Sequence, residues 1–371
     1  MSKTSPPETE RRARLRLIRS ENVGPVTFRR LIEHCGSAER VIEALPELAR
    51  RGGRRAPIRP ASEAAIDGEF AALERLGARL IVWGDPDYPP RLAAIDDAPP
   101  AFAVLGHKAM LDRPSVAIVG ARNASLNGRR FARELAAALG AAGLTIVSGL
   151  ARGIDTAAHD GAVATGTIAV LAGGVDVVYP EENRALYGQV AETGAVVSEM
   201  PPGTQPLARH FPQRNRIIAG LALGTIVVEA ALKSGSLITA RQALDQGREV
   251  FAVPGSPLDP RARGANDLLR QGAILVEGPD DVLGALGPER LPRRLDTAPN
   301  GTGGREIAPV RQEDLTPARR KVLESLSPSP LPVDEIVRRC QVSPATVSLV
   351  LLELELAGRL ARHPGNQVSR L

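Results

Sequence analysis

The residues best suited to chemistry lie in one stretch, His210-Phe211-Pro212-Gln213-Arg214-Asn215-Arg216-Ile217-Ile218-Ala219-Gly220. Pro212 fits the first turn of a helix, where its missing N–H removes no hydrogen bond. Arg214 and Arg216 then fall in that first turn, with Asn215 between them. A helix N-terminus carries free N–H groups and partial positive charge, so anions bind there readily. Two guanidinium forks strengthen that pull on phosphate. A lone Arg-x-Arg more often pairs with acids on a helix surface, so the case rests on repetition. Comparable turns occur at Gly120-Ala121-Arg122, Ser148-Gly149-Leu150-Ala151-Arg152, Gly173-Gly174, Ser198-Glu199 and Lys233-Ser234-Gly235-Ser236. Glycine lets a ligand approach the backbone, and Arg122, Arg152 and Lys233 bring charge to the same loops.

The elements that must position these loops follow from the hydrophobic pattern. Short apolar runs at 115–119, 144–147, 167–171, 195–197, 225–228, 249–253 and 273–276 alternate with helical segments. That alternation predicts an α/β fold, a doubly wound parallel sheet covered by helices on both faces. Ligands of such sheets sit at the carboxyl ends of the strands, where every one of the loops above falls. Together they imply an extended anion-binding rim. Asp155 and His159, spaced i and i+4, are expected to bond each other and stiffen the second loop. Glu229, at the end of its strand, reads as an anchor accepting loop N–H groups or as a catalytic carboxylate, with the anchor preferred.

Outside this region the pattern changes. Residues 1–9 read as a disordered tail and 10–75 as a helical domain of SAM-like or helix-hairpin-helix type. Its Val23-Gly24-Pro25 turn presents N–H groups either to phosphate or to a packing partner. Residues 76–290 hold the sheet, 291–312 are a linker by composition, and 313–371 have helix-turn-helix spacing best read as a winged helix. From Gln341 to Gly358 there is no Lys or Arg, while Glu353 and Glu355 are present. A helix reading the major groove needs basic or amide donors, so this one is expected to pack or to contact protein.

Composition narrows the classes further. The formal charge is +5, yet residues 81–310 hold 22 Lys and Arg against 24 Asp and Glu, so any anion site there is local. Cys35 and Cys340 are the only cysteines, which excludes a disulfide framework or a zinc site. No apolar run approaches the about 18 residues of a membrane span, and the polar N-terminus is no signal peptide, so a cytoplasmic protein is expected. Arg122 stands at the second glycine position of a dinucleotide fingerprint, and no Gly-x4-Gly-Lys-[Ser/Thr] occurs. No cofactor and no metal are expected. With ten aromatic residues in all, a bound strand would be held mainly through phosphates, with strong salt dependence.

These motifs resemble the DNA processing protein A (DprA/Smf) family. The resemblance is carried by Val119-Gly120-x-Arg122, Ser148-Gly149-x-Ala151-x-Gly153-Ile154-Asp155-x-x-Ala158-His159 and Gly174-x-Asp176-x-x-Tyr179-Pro180-x-x-Asn183. It continues through Ser198-Glu199, Phe211-Pro212-x-Arg214-Asn215-Arg216-Ile217-Ile218-Ala219-Gly220-Leu221, Glu229-Ala230, Ser234-Gly235-Ser236, Pro254-Gly255 and Gly264-x-Asn266. It implies an extended Rossmann-like domain that binds single-stranded DNA, forms a homodimer, and loads the RecA recombinase during natural transformation, without being an enzyme. Arg122 matches the family's DNA-contacting arginine and Arg214-Asn215-Arg216 its phosphate-binding cluster. Loop position adds Gly120, Ser148, Gly149, Arg152, Lys233, Ser234, Gly235 and Ser236 to the expected DNA-binding set.

Two other readings compete. The sheet also resembles nucleotide phosphoribohydrolases, but Leu221-Ala222-Leu223 replaces their paired glycines and Glu229 falls one residue further on. A DNA-tethering scaffold without RecA activity has no distinguishing motif.

Overall fold

The structure is a computed structural model that describes residues 6–54, 56, 58–287, 316–363 and 365–371. The described residues divide into two compact units, one of residues 67–287 and one of 6–66 together with 316–371. The linker expected at 291–312 lies outside the described residues, as does most of the expected N-terminal tail.

The second unit opens with three helices, α1 (Glu8–Ile18), α2 (Pro25–Cys35) and α3 (Ala38–Arg51). The first begins at Glu8, inside the stretch expected to be a tail, because Pro7 precedes it and Glu8 and Glu10 suit its positive end. Leu15, Leu17, Phe28, Leu31, Val41 and Leu45 are buried. A fourth helix, α4 (Glu63–Arg75), runs into the first unit.

The first unit is built on nine strands: β1 (Arg79–Val82), β2 (Ala101–Gly106), β3 (Ser115–Gly120), β4 (Thr145–Ser148), β5 (Thr167–Val170), β6 (Ala195–Ser198), β7 (Gly224–Val228), β8 (Glu249–Ala252) and β9 (Ile274–Leu275). Its helices are α5 (Pro90–Ala93), α6 (Leu126–Ala141), α7 (Ile154–Ala162), α8 (Arg184–Thr193), α9 (His210–Leu221), α10 (Gly235–Asp245), α11 (Arg263–Arg270) and α12 (Pro279–Leu286). The strand order is β1-β2-β6-β5-β4-β3-β7-β8-β9. From β6 to β9 all neighbours are parallel, whereas β2 is antiparallel to both β1 and β6. The sheet is therefore mixed at one edge, where the sequence pattern gave no sign of β2.

Alternation along β3 splits the core between the two faces. Val116 and Ile118 pack with Leu135, Leu139 and Ala158 from α6 and α7, while Ala117 and Val119 pack with Ile217, Ile218 and Ala240 from α9 and α10. Each such buried leucine or isoleucine stabilises the fold by about 1.5–3 kcal/mol relative to exposure. The chain steps outward from β3 through β4, β5 and β6, then returns to β7 on the other side of β3. That reversal opens a crevice at the carboxyl ends of β3 and β7.

The C-terminal part of the second unit comprises α13 (Thr316–Ser325), β10 (Leu331–Pro332), α14 (Val333–Cys340), α15 (Pro344–Leu356), β11 (Leu360–His363) and β12 (Gln367–Arg370). Ser343 caps α15 by accepting from Thr346 N at 3.1 Å, with Pro344 in the first turn. The strands form a small sheet, β10-β12-β11, so the expected winged helix is present. Among the described residues no helix is long and apolar enough to cross a membrane.

Candidate nucleic-acid interface

The rim is assembled at the crevice. Gly120 ends β3 directly opposite Val228 of β7, and a Cβ on it would lie 1.9 Å from the Val228 carbonyl oxygen. Arg122, two residues on, is exposed and has no carboxylate within ion-pair reach among the described residues. Its guanidinium lies 5.0 Å from the centre of the Phe211 ring, within cation–π range. Tyr179, 51% exposed, packs against the same ring at 5.9 Å. An aromatic ledge next to a free arginine thus stands on the rim. Composition alone pointed away from stacking, since ten aromatics in this chain is few, but two of them converge here. The signal for them was positional, as Tyr179 lies in the loop that leaves β5 and Phe211 in the first turn of α9.

Arg214 is present at the rim, but as an internal tie. It is 6% exposed, and its Nη1 donates to the carbonyls of Gly149 at 2.6 Å and Val170 at 2.7 Å. It thereby fastens the start of α9 to the ends of β4 and β5. Burial pushes its pKa down to about 10, with Asp155 opposing that shift and Arg122 adding to it. Its Nε is buried and has no hydrogen-bond partner among the described residues.

The loop after β4 is held in a demanding shape. Leu150 has φ 54° and Gly153 φ 80°, conformations that need support from surrounding bonds. Asp155 supplies it by accepting from Gly149 N at 3.2 Å and Ala151 N at 3.4 Å, and Asn183 Nδ2 donates to the Leu150 carbonyl at 2.8 Å. The expected Asp155–His159 bond does not form. The histidine Nδ1 meets Thr167 Oγ1 at 2.9 Å instead, and burial drives its pKa down to about 3, with Arg214 adding to that. Desolvation raises the Asp155 pKa against the pull of Arg214 and the two loop N–H groups. Ser148 is likewise internal, its Oγ donating to the Ile118 carbonyl at 2.6 Å.

Arg216 differs most from the expectation of a phosphate ligand. It is 5% exposed and its Nη2 lies 2.5 and 2.6 Å from the two oxygens of Glu199, with the Asp97 carbonyl on Nη1. Its charge is used inside the protein. Asn215, also buried, donates to the Gly235 carbonyl at 3.4 Å and so ties α9 to the start of α10. There Ser234 caps α10 and meets Ser236 Oγ at 2.7 Å, while Lys233 and Gly235 are exposed beside them. Arg152 is exposed and pairs with Glu182 at 2.7 Å, both side chains more than half open to solvent. Such a pair contributes about 0–1 kcal/mol, and a phosphate can replace the carboxylate.

Glu229 is an anchor. Its Oε2 accepts from Ser125 N at 2.8 Å, its Oε1 from Ser125 Oγ, and a Cβ on Gly128 would run into the carboxylate. Ser125 in turn caps α6 by accepting from Gly128 N at 2.9 Å. This carboxylate fixes the loop that carries Arg122. Among the described residues no group of three His, Cys, Asp or Glu side chains is placed to hold a metal ion.

Residues 79–287 match the family described as DNA recombination-mediator protein A, residues 8–72 a DprA-like N-terminal HHH domain, and residues 306–366 a DprA winged helix domain. The chain is 41% identical to Protein Smf of Escherichia coli over 307 residues, covering 82% of this chain and 80% of that one. It is 48% identical to DNA processing protein DprA of Streptococcus pneumoniae over 201 residues, 54% of this chain and 71% of that one. The X-ray structure of the Streptococcus pneumoniae protein covers 73% of this chain and 95% of its own, with TM-score 0.62 and 38% identity. A structure of DNA processing protein A from Helicobacter pylori, described as giving insight into that protein's unique single-stranded DNA binding mode, matches with TM-score 0.52 and 28% identity over 56% of this chain and 95% of its own.

Proposed function

The chain belongs to the DNA recombination-mediator protein A family, and from that premise we propose that it binds single-stranded DNA along the rim of its mixed sheet. The observation that carries this reading is the exposed Arg122 beside the Phe211–Tyr179 ledge, at the crevice where the sheet reverses direction. A cation beside aromatic faces suits a strand whose bases are free to stack, while a duplex hides its bases. Arg152, Lys233 and the N-termini of α7, α9 and α10 extend the surface for successive phosphates. Arg214, Asn215, Ser148 and Gly149 shape the surface from beneath, and Arg216 fixes α9 to the fold.

Hydrolysis of a nucleotide is disfavoured by the state of Glu229, since both of its oxygens accept from Ser125. The finer reading extends the family's expectation to this chain: a homodimer in the cytoplasm that protects incoming DNA and delivers it to RecA during natural transformation. Titrating labelled single-stranded and duplex oligonucleotides against the protein tests the first part. The account expects tighter binding of the single strand, and equal affinity for both would overturn it. Filament assembly on coated single-stranded DNA, with and without this protein, tests delivery to RecA.

A further inference from the structure

Two elements that meet nucleic acid in other proteins face each other in the second unit. A helix-hairpin-helix turn offers backbone N–H groups to phosphate, and the third helix of a helix-turn-helix enters the major groove. Here Asn22, in the turn between α1 and α2, donates through Nδ2 to the Leu356 carbonyl at the end of α15 at 3.1 Å. Thr27 of α2 donates to Glu355 Oε1 at 2.7 Å. Just past α3, the Gly52 carbonyl accepts from Arg359 Nη1 at 3.3 Å. A Cβ on Gly52 would stand 1.9 Å from the Glu353 carbonyl oxygen and 2.9 Å from Ala357 Cβ.

The sequence of α15 fits this placement. Val347, Val350, Leu351 and Leu354 belong to the winged-helix core. Leu352 and Leu356 lie outside that core, yet they are only 3% and 0% exposed. From Val350 to Leu356 α15 has no exposed residue, and a stretch of helix apolar on all sides is one that is covered on all sides. Its acids are also committed, Glu353 to Arg319 and Glu355 to both Thr27 and Arg362.

We propose that α15 and the α1–α2 turn, with the end of α3, are each other's partner, an intrachain interface that withholds both from duplex DNA. Reading DNA with α15 would require breaking this contact, exposing Leu352 and Leu356 to water, and setting Glu353 and Glu355 beside phosphates. The winged helix is then a clamp on the N-terminal helices, and the two modules open and close together.

Hydrogen exchange of the full chain tests this, with and without a duplex oligonucleotide, in wild type, Gly52→Leu and the double variant Asn22→Gly/Thr27→Val. Asn22 has φ 60°, which glycine adopts without strain. The double variant removes two hydrogen bonds and leaves Leu352 and Leu356 in place, so it remains informative if Gly52→Leu does not fold. Exchange in α15 and in α2 should rise together, by roughly fivefold in the double variant, and duplex should leave both segments of the wild type unchanged. Exchange in α15 that ignores both variants, or wild-type α15 or turn protected by duplex, would overturn the proposal. Rim variants such as Arg122→Ala leave this readout untouched, so it stands apart from the fate of the single-strand reading.

Discussion

The Arg214 guanidinium occupies the space above Gly149 that a side chain would need: Nη1 donates to the Gly149 carbonyl at 2.6 Å, and a Cβ on that glycine would lie 1.9 Å from the same nitrogen. Gly149 does not have positive φ, so the requirement for glycine here is room for arginine and not backbone freedom. Gly149→Ala should therefore expel Arg214 from its tie to β4 and β5. We expect a loss of about 2–4 kcal/mol in urea unfolding, from overpacking and two broken hydrogen bonds. Single-strand affinity should fall as well. An alanine variant of unchanged stability would show that Arg214 has another resting place.

Arg122 and Arg216 should respond oppositely to removal. Arg216→Ala removes the guanidinium that meets both oxygens of Glu199, whose side chain is 14% exposed, and should cost about 3–5 kcal/mol of stability. Arg122→Ala touches no buried partner and should change stability by less than about 0.5 kcal/mol. Paired denaturation curves check the contrast, and equal effects would show that one of the two side chains has been misassigned.

The sequence made much of this arrangement legible, and its failures have physical reasons. The loops at 120–122, 148–153 and 233–236 were found because glycine and arginine recur there after apolar runs. What spacing does not reveal is which arginines face inward. Arg214 and Arg216 lie two residues apart on one helix, yet one ties strand ends together and the other meets Glu199, whose position depends on how β6 and α9 pack. The pairing of Asp155 with His159 looked natural at i and i+4, but loop N–H groups and Thr167 are the nearer partners once β4 and β5 align. Strand β2 escaped notice because an antiparallel strand added beyond β6 leaves no mark on a strand–helix alternation.

Phe211→Ala should weaken single-strand binding by about 1–3 kcal/mol, the range for one stacked base. It should leave the salt slope unchanged, because no charge is removed. Anisotropy at two salt concentrations separates these effects. Unchanged affinity would return the rim to a purely electrostatic surface, as the small number of aromatics in the sequence implied.

His159 should make stability depend on pH. Its pKa is held near about 3 in the fold, below its ordinary 6.5, so the unfolded chain takes up a proton that the folded chain refuses. Stability from this residue is complete above about pH 6.5 and falls as pH drops toward about 3, by up to about 1.4 kcal/mol per unit. Asp155, whose pKa is raised, contributes with the opposite sign. Comparing wild type with His159→Gln isolates the histidine. The slope between pH 6.5 and 5 should flatten in the variant, and identical slopes would mean that His159 is charged or open in the native state.

Glu229→Ala should remove the acceptor for Ser125 N and Oγ, costing about 1–3 kcal/mol, and speed hydrogen exchange in the loop from 121 to 125. If Glu229 were instead a catalytic base, wild type would hydrolyse nucleoside monophosphates and Glu229→Gln would not. Activity of that kind would displace the anchor role.

The central claim is that an exposed arginine beside an aromatic ledge holds a single strand at the crevice of the sheet. The measurement that tests it most directly is anisotropy of a labelled single strand over a salt series, wild type against Arg122→Ala. The variant should bind about tenfold more weakly at moderate salt, keep its stability, and show a logarithmic salt slope shallower by about 1. Unchanged affinity and slope in a folded variant would contradict the account and move the DNA to another face.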